Sequence, residues 1–201
     1  MGSAAYRAIL FFGYPGCGKG TQGAALAGMP HFVHLAMGDI FRALDKESEI
    51  GKEFLAYASK GMLVPDELTV RLWNQIVSGM VSSGAIDPNY HTLLLDGIPR
   101  TPSQVELIGG YIDVLKVVHL NMKDQKKLVE RLKLRAAKSG RTDDAMEDVI
   151  LNRIKVYQES TRPVLECYPE ELISHINADQ SPLAVLRDIC DAIDPVISTN
   201  I

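Results

Sequence analysis

The sequence predicts a three-layer α/β fold in which a five-stranded parallel sheet is covered by helices on both faces. Three observations carry that prediction. Short apolar runs of strand length alternate with helical stretches, the pattern that produces right-handed crossovers and a parallel sheet. A glycine-rich turn directly follows the first run and directly precedes the first helical stretch. The composition is that of an ordinary globular chain, with 46% hydrophobic and 23% charged residues, 16 Gly and 10 Pro in 201 residues, enough for one domain with insertions.

The elements follow in order. Arg7 to Phe12 is the first strand and Lys19 to Ala27 the first helix. Phe32 to Leu35 is a short second strand, and Gly38 to Asp45 is helical again. From Gly38 to about Val64 two short helical patterns follow each other with no strand between them, ending near Gly61, a helix C-cap signal. His91 to Leu95 and the Val-rich Val114 to Leu120 are further strands, and Leu172 to Ile176 is the last. Asp124 to Lys138 is a basic helix, Lys138 to Asp144 a polar connection, and Met146 to Cys167 one long helical pattern. The expected organisation is a core over 1–36, 65–137 and 145–201, an insertion over about 37–64, and a short connection over about 138–144.

Charge and cysteine usage exclude several classes. A formal charge of −4 argues against a surface that neutralises many phosphates, so no nucleic-acid partner is expected. No apolar run approaches the roughly 20 residues that cross a bilayer, so no membrane partner is expected either. Cys17, Cys167 and Cys190 are odd in number and widely spaced, which suggests neither a disulfide framework nor a zinc site and fits a reducing cytoplasm. The histidines show no metal-ligand spacing.

Gly13-Tyr14-Pro15-Gly16-Cys17-Gly18-Lys19 fits the pattern G-x-x-x-x-G-K in its confirming context, after a strand and before a helix. Its glycines let backbone N–H groups approach an anion, the helix N-terminus adds partial positive charge, and Lys19 reaches the outer phosphates. This is the phosphate cradle of a P-loop NTPase fold. In the general form a Ser or Thr follows the Lys and holds Mg²⁺; here Gly20 follows and Thr21 comes one later. Cys17, near a helix N-terminus, reads either as an activated thiol or as an inert small residue, the second being favoured.

Four further segments bear on function. His34-Leu35-Ala36-Met37-Gly38-Asp39-Ile40-Phe41-Arg42 opens the insertion and Gly61-Met62-Leu63-Val64-Pro65 closes it. Leu93-Leu94-Leu95-Asp96-Gly97-Ile98-Pro99-Arg100-Thr101-Pro102-Ser103-Gln104 ends a buried strand in a carboxylate, then presents a guanidinium fork and a carboxamide. Arg131 and Arg135 share a helix face, followed by Arg141 and Arg153; Lys126, Lys127, Lys133 and Lys138 lie on the first of these helices, so a solvated basic face is the competing reading.

Together with Gly18-Lys19-Gly20-Thr21-Gln22, these segments resemble the adenylate kinase family over nearly the whole chain. The resemblance implies a short-lid nucleoside monophosphate kinase, with 37–64 as a helical monophosphate-binding insertion and 138–144 as the lid, transferring phosphoryl from Mg-ATP to AMP reversibly. It implies that Gly16, Cys17, Gly18, Lys19, Gly20, Thr21, Arg131, Arg135 and, more weakly, Gln180 meet ATP. Met37, Arg42, Met62, Leu63, Val64, Gly97, Arg100, Gln104, Arg141 and Arg153 then meet AMP. Lys19, Arg100, Arg135, Arg141 and Arg153 would act on the transferring group, with Asp96 ordering the waters of Mg²⁺ and Asp143 and Asp144 orienting the lid arginines. No zinc is implied, because the lid is too short for the cysteine-bearing insertion of some members. A cytoplasmic monomer with ATP and AMP as its small-molecule partners is expected.

Two residues disagree about the acceptor base. Gln104 can accept from the adenine amino group and donate to a ring nitrogen, the logic by which carboxamides read adenine. Met37 stands where the family usually has Thr or Ser and pyrimidine-specific relatives tend to have Ala, offering packing and no hydroxyl. Relaxed base selectivity, a UMP/CMP-type kinase and a catalytically weak adenine-nucleotide sensor are the alternatives to the leading reading.

Overall fold

The computed structural model describes residues 6–139, 144 and 146–198. Five parallel strands, β1 (Tyr6–Gly13), β2 (Phe32–Ala36), β3 (Thr92–Asp96), β4 (Ile112–Asn121) and β5 (Ile173–Asn177), form one sheet in the order β2-β3-β1-β4-β5. Around it lie α1 (Lys19–Leu26), α2 (Met37–Ala43), α3 (Glu49–Ala58), α4 (Asp66–Ser82), α5 (Pro102–Gly109), α6 (Gln125–Ser139), α7 (Glu147–Val156) and α8 (Pro182–Ser198).

The central strands are apolar throughout because both of their faces are covered. Successive side chains point to opposite faces, and the two cores separate accordingly. Leu10, Leu93, Leu95 and Val117 join Trp73 of α4 and Ile108 of α5 on one face. Ile9, Leu94, Val118 and Leu120 join Leu26 of α1 and Val185, Ile189 and Ile193 of α8 on the other. Trp73, with no exposed surface, makes T-shaped ring contacts with Tyr6 and Tyr111. The β1–β3 register pairs Ile9 with Leu94 and Phe11 with Asp96, bringing the carboxyl ends of the two strands side by side. The crossovers leaving these two strands run to opposite sides of the sheet, the arrangement that opens a ligand crevice in α/β folds.

The strands lie within a residue or two of their expected places, but the long helical pattern from Met146 to Cys167 does not form one α-helix. It is α7, then a π-helical turn at Tyr157–Thr161, then a 3-10 segment at Arg162–Cys167. Pro163 explains the break: it has no N–H to donate to the preceding turn and its ring crowds the carbonyl four residues back. The widened turn buries both Tyr157 and Thr161, and the following segment buries Val164 and Leu165.

At the open end of the sheet His119 of β4 and His175 of β5 are register partners, with Nδ1 atoms 2.8 Å apart, so one ring donates and the other accepts. Burial, followed by the neighbouring His175, pulls the pKa of His119 down from 6.5 to about 4. The unfolded chain therefore takes up this proton near pH 6.5, whereas the native chain resists until about pH 4. The stability contributed by neutral His119 is complete above the higher value and is lost progressively as pH falls toward the lower one. The urea midpoint should fall across that window, and His119→Phe should flatten the fall; equal slopes for the two proteins would remove His119 as its source.

Candidate active site

The loop after β1 is shaped by close approach. Gly13 has φ 142°, and a Cβ there would stand 2.5 Å from the Leu120 carbonyl oxygen of β4. Only glycine lets the chain leave β1 at this point. The loop closes with the Cys17 N–H bonded to the Tyr14 carbonyl at 3.1 Å, and α1 begins at Lys19 with Gly18 as its N-cap. No side chain caps that helix, so its first-turn N–H groups face the crevice as an anion site. Lys19 Nζ folds back over the loop, donating to the carbonyls of Gly13 at 2.7 Å and Tyr14 at 3.2 Å. Cys17 is buried, and that burial pushes its thiol above the ordinary range despite the opposing charge of Lys19, as suits an inert packing residue. Asp96 Oδ2 lies 3.8 Å from where a Cβ on Gly20 would be, which sets the carboxylate beside the first turn of α1.

On the other flank α2 starts directly at the end of β2, so Met37 and Arg42 sit at the crevice mouth. Met37 is buried in the core with Phe41, whose ring stacks on Phe54 of α3 at 5.0 Å. Arg42 is held by Asp39 at 2.7 Å. The connection from α3 to α4 runs tight against α7: a Cβ on Gly61, whose φ is 67°, would lie 2.9 Å from the Val149 carbonyl, and Asn152 Nδ2 donates to the Lys60 carbonyl. Met62, Leu63 and Val64 continue from there along the crevice wall.

Beyond Asp96 and Gly97 the chain passes a cis Ile98–Pro99 bond to Arg100, whose Nε donates to the Gly97 carbonyl at 3.0 Å. Thr101 caps α5 by accepting from the Gln104 N–H, with Pro102 in the first turn. The Gln104 amide is oriented by two protein partners, accepting from the Arg100 N–H at Oε1 and donating from Nε2 to Asp66 Oδ1, each at 2.7 Å. Asp66 also accepts from Thr101 Oγ1 at 2.9 Å. A carboxamide has two acceptor lone pairs and two donor hydrogens, so these bonds use half of its capacity and settle which end is which.

Arg131 and Arg135 project from α6 and Arg153 from α7. Arg135 Nε donates to Asp144 Oδ2 at 2.7 Å, with Nη2 2.6 Å from the same oxygen, and Arg153 Nη1 donates to the other carboxylate oxygen. The Asp144 side chain has no exposed surface, so one buried carboxylate aligns guanidinium groups from two helices. Gln180, following β5, donates to Asp188 Oδ2. Apart from Asp144, the site residues expected from the sequence that are described line one crevice of about 770 Å³. Arg141 and Asp143 lie outside the described residues.

The family model described as adenylate kinase matches residues 11–173. The chain is 40% identical over 167 residues to an adenylate kinase of Kocuria rhizophila, covering 81% of this chain and 85% of the relative. It is 32% identical over 193 residues to an adenylate kinase of Bacteroides thetaiotaomicron, covering 92% and 97% respectively. An adenylate kinase of Mycobacterium sp. is 38% identical over 172 residues, covering 82% and 87%. This chain belongs to the adenylate kinase family.

Within this family member, sequence reasoning missed Asp66, while the orienting role of Asp144 came from the resemblance and not from its local pattern. Asp66 follows Pro65 at the start of α4 and reads as an ordinary first-turn acid; only the fold brings it across to Thr101 and Gln104. Asp144 has the same appearance as any loop acid until α6 and α7 are placed on either side of it. Among the described residues no cluster of His, Cys, Asp and Glu has the geometry to hold a metal by itself, and no described helix is long and apolar enough to cross a membrane.

Replacing Asp144 by Asn removes the charge between two guanidinium groups. Asp144→Asn should cost about 1–3 kcal/mol in urea unfolding, as expected for losing charged hydrogen bonds at a buried carboxylate. Steady-state turnover should drop at least about tenfold, the equivalent of about 1.4 kcal/mol on the barrier. A variant with unchanged stability and turnover would mean that the carboxylate does not organise the arginines.

Proposed function

We propose that this chain catalyses the reversible transfer of the γ-phosphoryl group of ATP to AMP, giving two ADP. The observation that carries this reading is the joining of two half-sites in one crevice: the phosphate loop with Lys19 on one side, Arg100 and Gln104 on the other, and Arg135 and Arg153 tied together by Asp144. An oxygen of the AMP phosphate attacks the γ-phosphorus of ATP, and the bond from that phosphorus to the β–γ bridging oxygen breaks, leaving ADP. The attacking phosphate is already an anion, so no general base is needed. Catalysis is then a matter of positioning and of charge stabilisation.

The residues divide that work. N–H groups from Gly16 to Thr21 cradle the donor phosphates and Lys19 follows the transferring charge, exchanging its two carbonyl partners for phosphate oxygens. Arg131, Arg135 and Gln180 lie on the donor side, and Arg42 and Arg100 hold the acceptor phosphate. Gln104, with its remaining lone pair and hydrogen, reads the adenine edge. Met37, Met62, Leu63, Val64 and Gly97 enclose the acceptor nucleoside. Arg153 serves both nucleotides, and the family resemblance assigns Arg141 the same role.

The donor set also fits magnesium. Asp96 beside the first turn of α1 is the hard oxygen donor that this cation takes through its water shell, and Gly20 leaves room where other P-loops place a hydroxyl. When bound with ATP, Mg²⁺ neutralises charge on the β- and γ-oxygens. Residues 37–64 act as the monophosphate-binding flap and 138–144 as the lid, and closure on both substrates keeps water from serving as the acceptor. The protein works as a cytoplasmic monomer.

The test is product analysis after mixing Mg-ATP separately with AMP, CMP, UMP, GMP and dTMP, with Lys19→Met as control. AMP should be the best acceptor, and Lys19→Met should turn over at least about a hundredfold more slowly, since it removes a charge that stabilises the transition state. Because Met37 brings packing and no hydroxyl, pyrimidine monophosphates should react within about a hundredfold of AMP. A larger preference for AMP would end the Met37 reading alone. No ADP from any acceptor would end the kinase reading.

A further inference from the structure

The second residue of the phosphate loop is a tyrosine whose ring does not point idly to solvent. Tyr14 packs against Tyr157, with ring centroids 4.5 Å apart and planes at 49°, and its hydroxyl accepts from Gln158 Nε2 at 3.1 Å. The backbone of the same residue belongs to the cradle, since the Tyr14 carbonyl accepts from Lys19 Nζ and from the Cys17 N–H. Tyr157 is buried, opens the π-helical turn, and holds its hydroxyl 3.4 Å from Nε2 of His119, which is backed by His175. It also follows Arg153 by four residues on a continuous helical path, the spacing that puts two side chains on one face.

These contacts form one bridge between the phosphate loop and α7. At one end Tyr14 is tied through its main chain to Lys19. At the other end Tyr157 continues the helix that carries Arg153. A buried tyrosine with a hydroxyl partner is a stiff support, because two χ angles and one hydrogen bond define its pose. The change to a π-helical turn at this point re-aims the side chains that follow α7.

We infer that Tyr157 is a positioning residue for phosphoryl transfer: through its ring contact with Tyr14 it fixes the distance between the phosphate loop and the Arg153 side of the site. The inference rests on the kinase reading given above. Tyr157 lines the crevice wall and is tied to the binding groups through Tyr14 and through the helix it shares with Arg153. Its loss should therefore be felt in the chemical step more than in the binding of either nucleotide, since each half-site keeps its own contacts.

A double-mutant cycle on turnover tests this. Tyr157→Leu and Tyr14→Ala should each lower kcat about tenfold while KM for ATP and for AMP changes less than about threefold. Tyr157→Phe, which keeps the ring against Tyr14, should recover most of that loss. The double variant Tyr14→Ala/Tyr157→Leu should be no slower than the worse single variant, because both substitutions remove the same contact. Tyr14→Ala changes only a partly exposed loop side chain and keeps the test valid if Tyr157→Leu fails to fold. Multiplicative losses in the double variant, or a kcat for Tyr14→Ala within about twofold of the parent, would overturn the inference. An unmodified protein that makes no ADP from any nucleoside monophosphate would instead overturn the kinase reading on which it rests.

Discussion

Everything at the site hangs on the placement of β1 between β3 and β4. The strand is hydrogen-bonded on both edges and covered on both faces, so its direction and height in the sheet are set by neighbours on four sides. Where it ends, Gly13 touches the backbone of β4 so closely that a side chain is excluded. The loop, the start of α1 and the ammonium group of Lys19 inherit their positions from that exit. Asp96 comes to the same level because β3 is in register with β1. The phosphate site is in this sense the end of a sheet, built from main chain more than from side chains.

Electrostatics explains why so many cations can gather in one crevice of a chain whose formal charge is −4. Five of them have an acceptor in the protein: carbonyl oxygens for Lys19 and Arg100, Asp39 for Arg42, and Asp144 for Arg135 and Arg153. Such partners keep the groups aimed into the crevice, and phosphate oxygens can join or replace them with little reorganisation. Asp144 is the most constrained of these acids, because its two oxygens serve different helices and its side chain is wholly covered. The polar set around Asp66, Thr101 and Gln104 does the same for base reading, by fixing which end of a carboxamide faces the ligand.

The sheet and most helices were legible in the sequence because apolar strand runs, glycine turns and helical periods are local signals. The phosphate loop was legible for the same reason, its glycines and lysine being contiguous. The failure at Met146 to Cys167 is instructive: the hydrophobic period continues through Pro163, while the backbone hydrogen bonding does not, and the chain resolves the conflict with π and 3-10 turns. Histidines that show no metal spacing along the chain turn out to meet as register partners on β4 and β5. No pattern within either strand announces a contact made between strands.

By itself, then, the sequence determined the fold class, the phosphate loop, and the residue types available for binding two nucleotides, since each depends on neighbours within a few positions of one another. The tertiary structure alone decided which acid holds which cation, which end of Gln104 is committed to protein, and that Tyr14 of the loop rests on Tyr157 from the far end of the chain. Those outcomes depend on the distance between elements after packing. That distance is set by the summed volumes of the two cores and by the register of the sheet, and neither quantity can be read from a local stretch of residues.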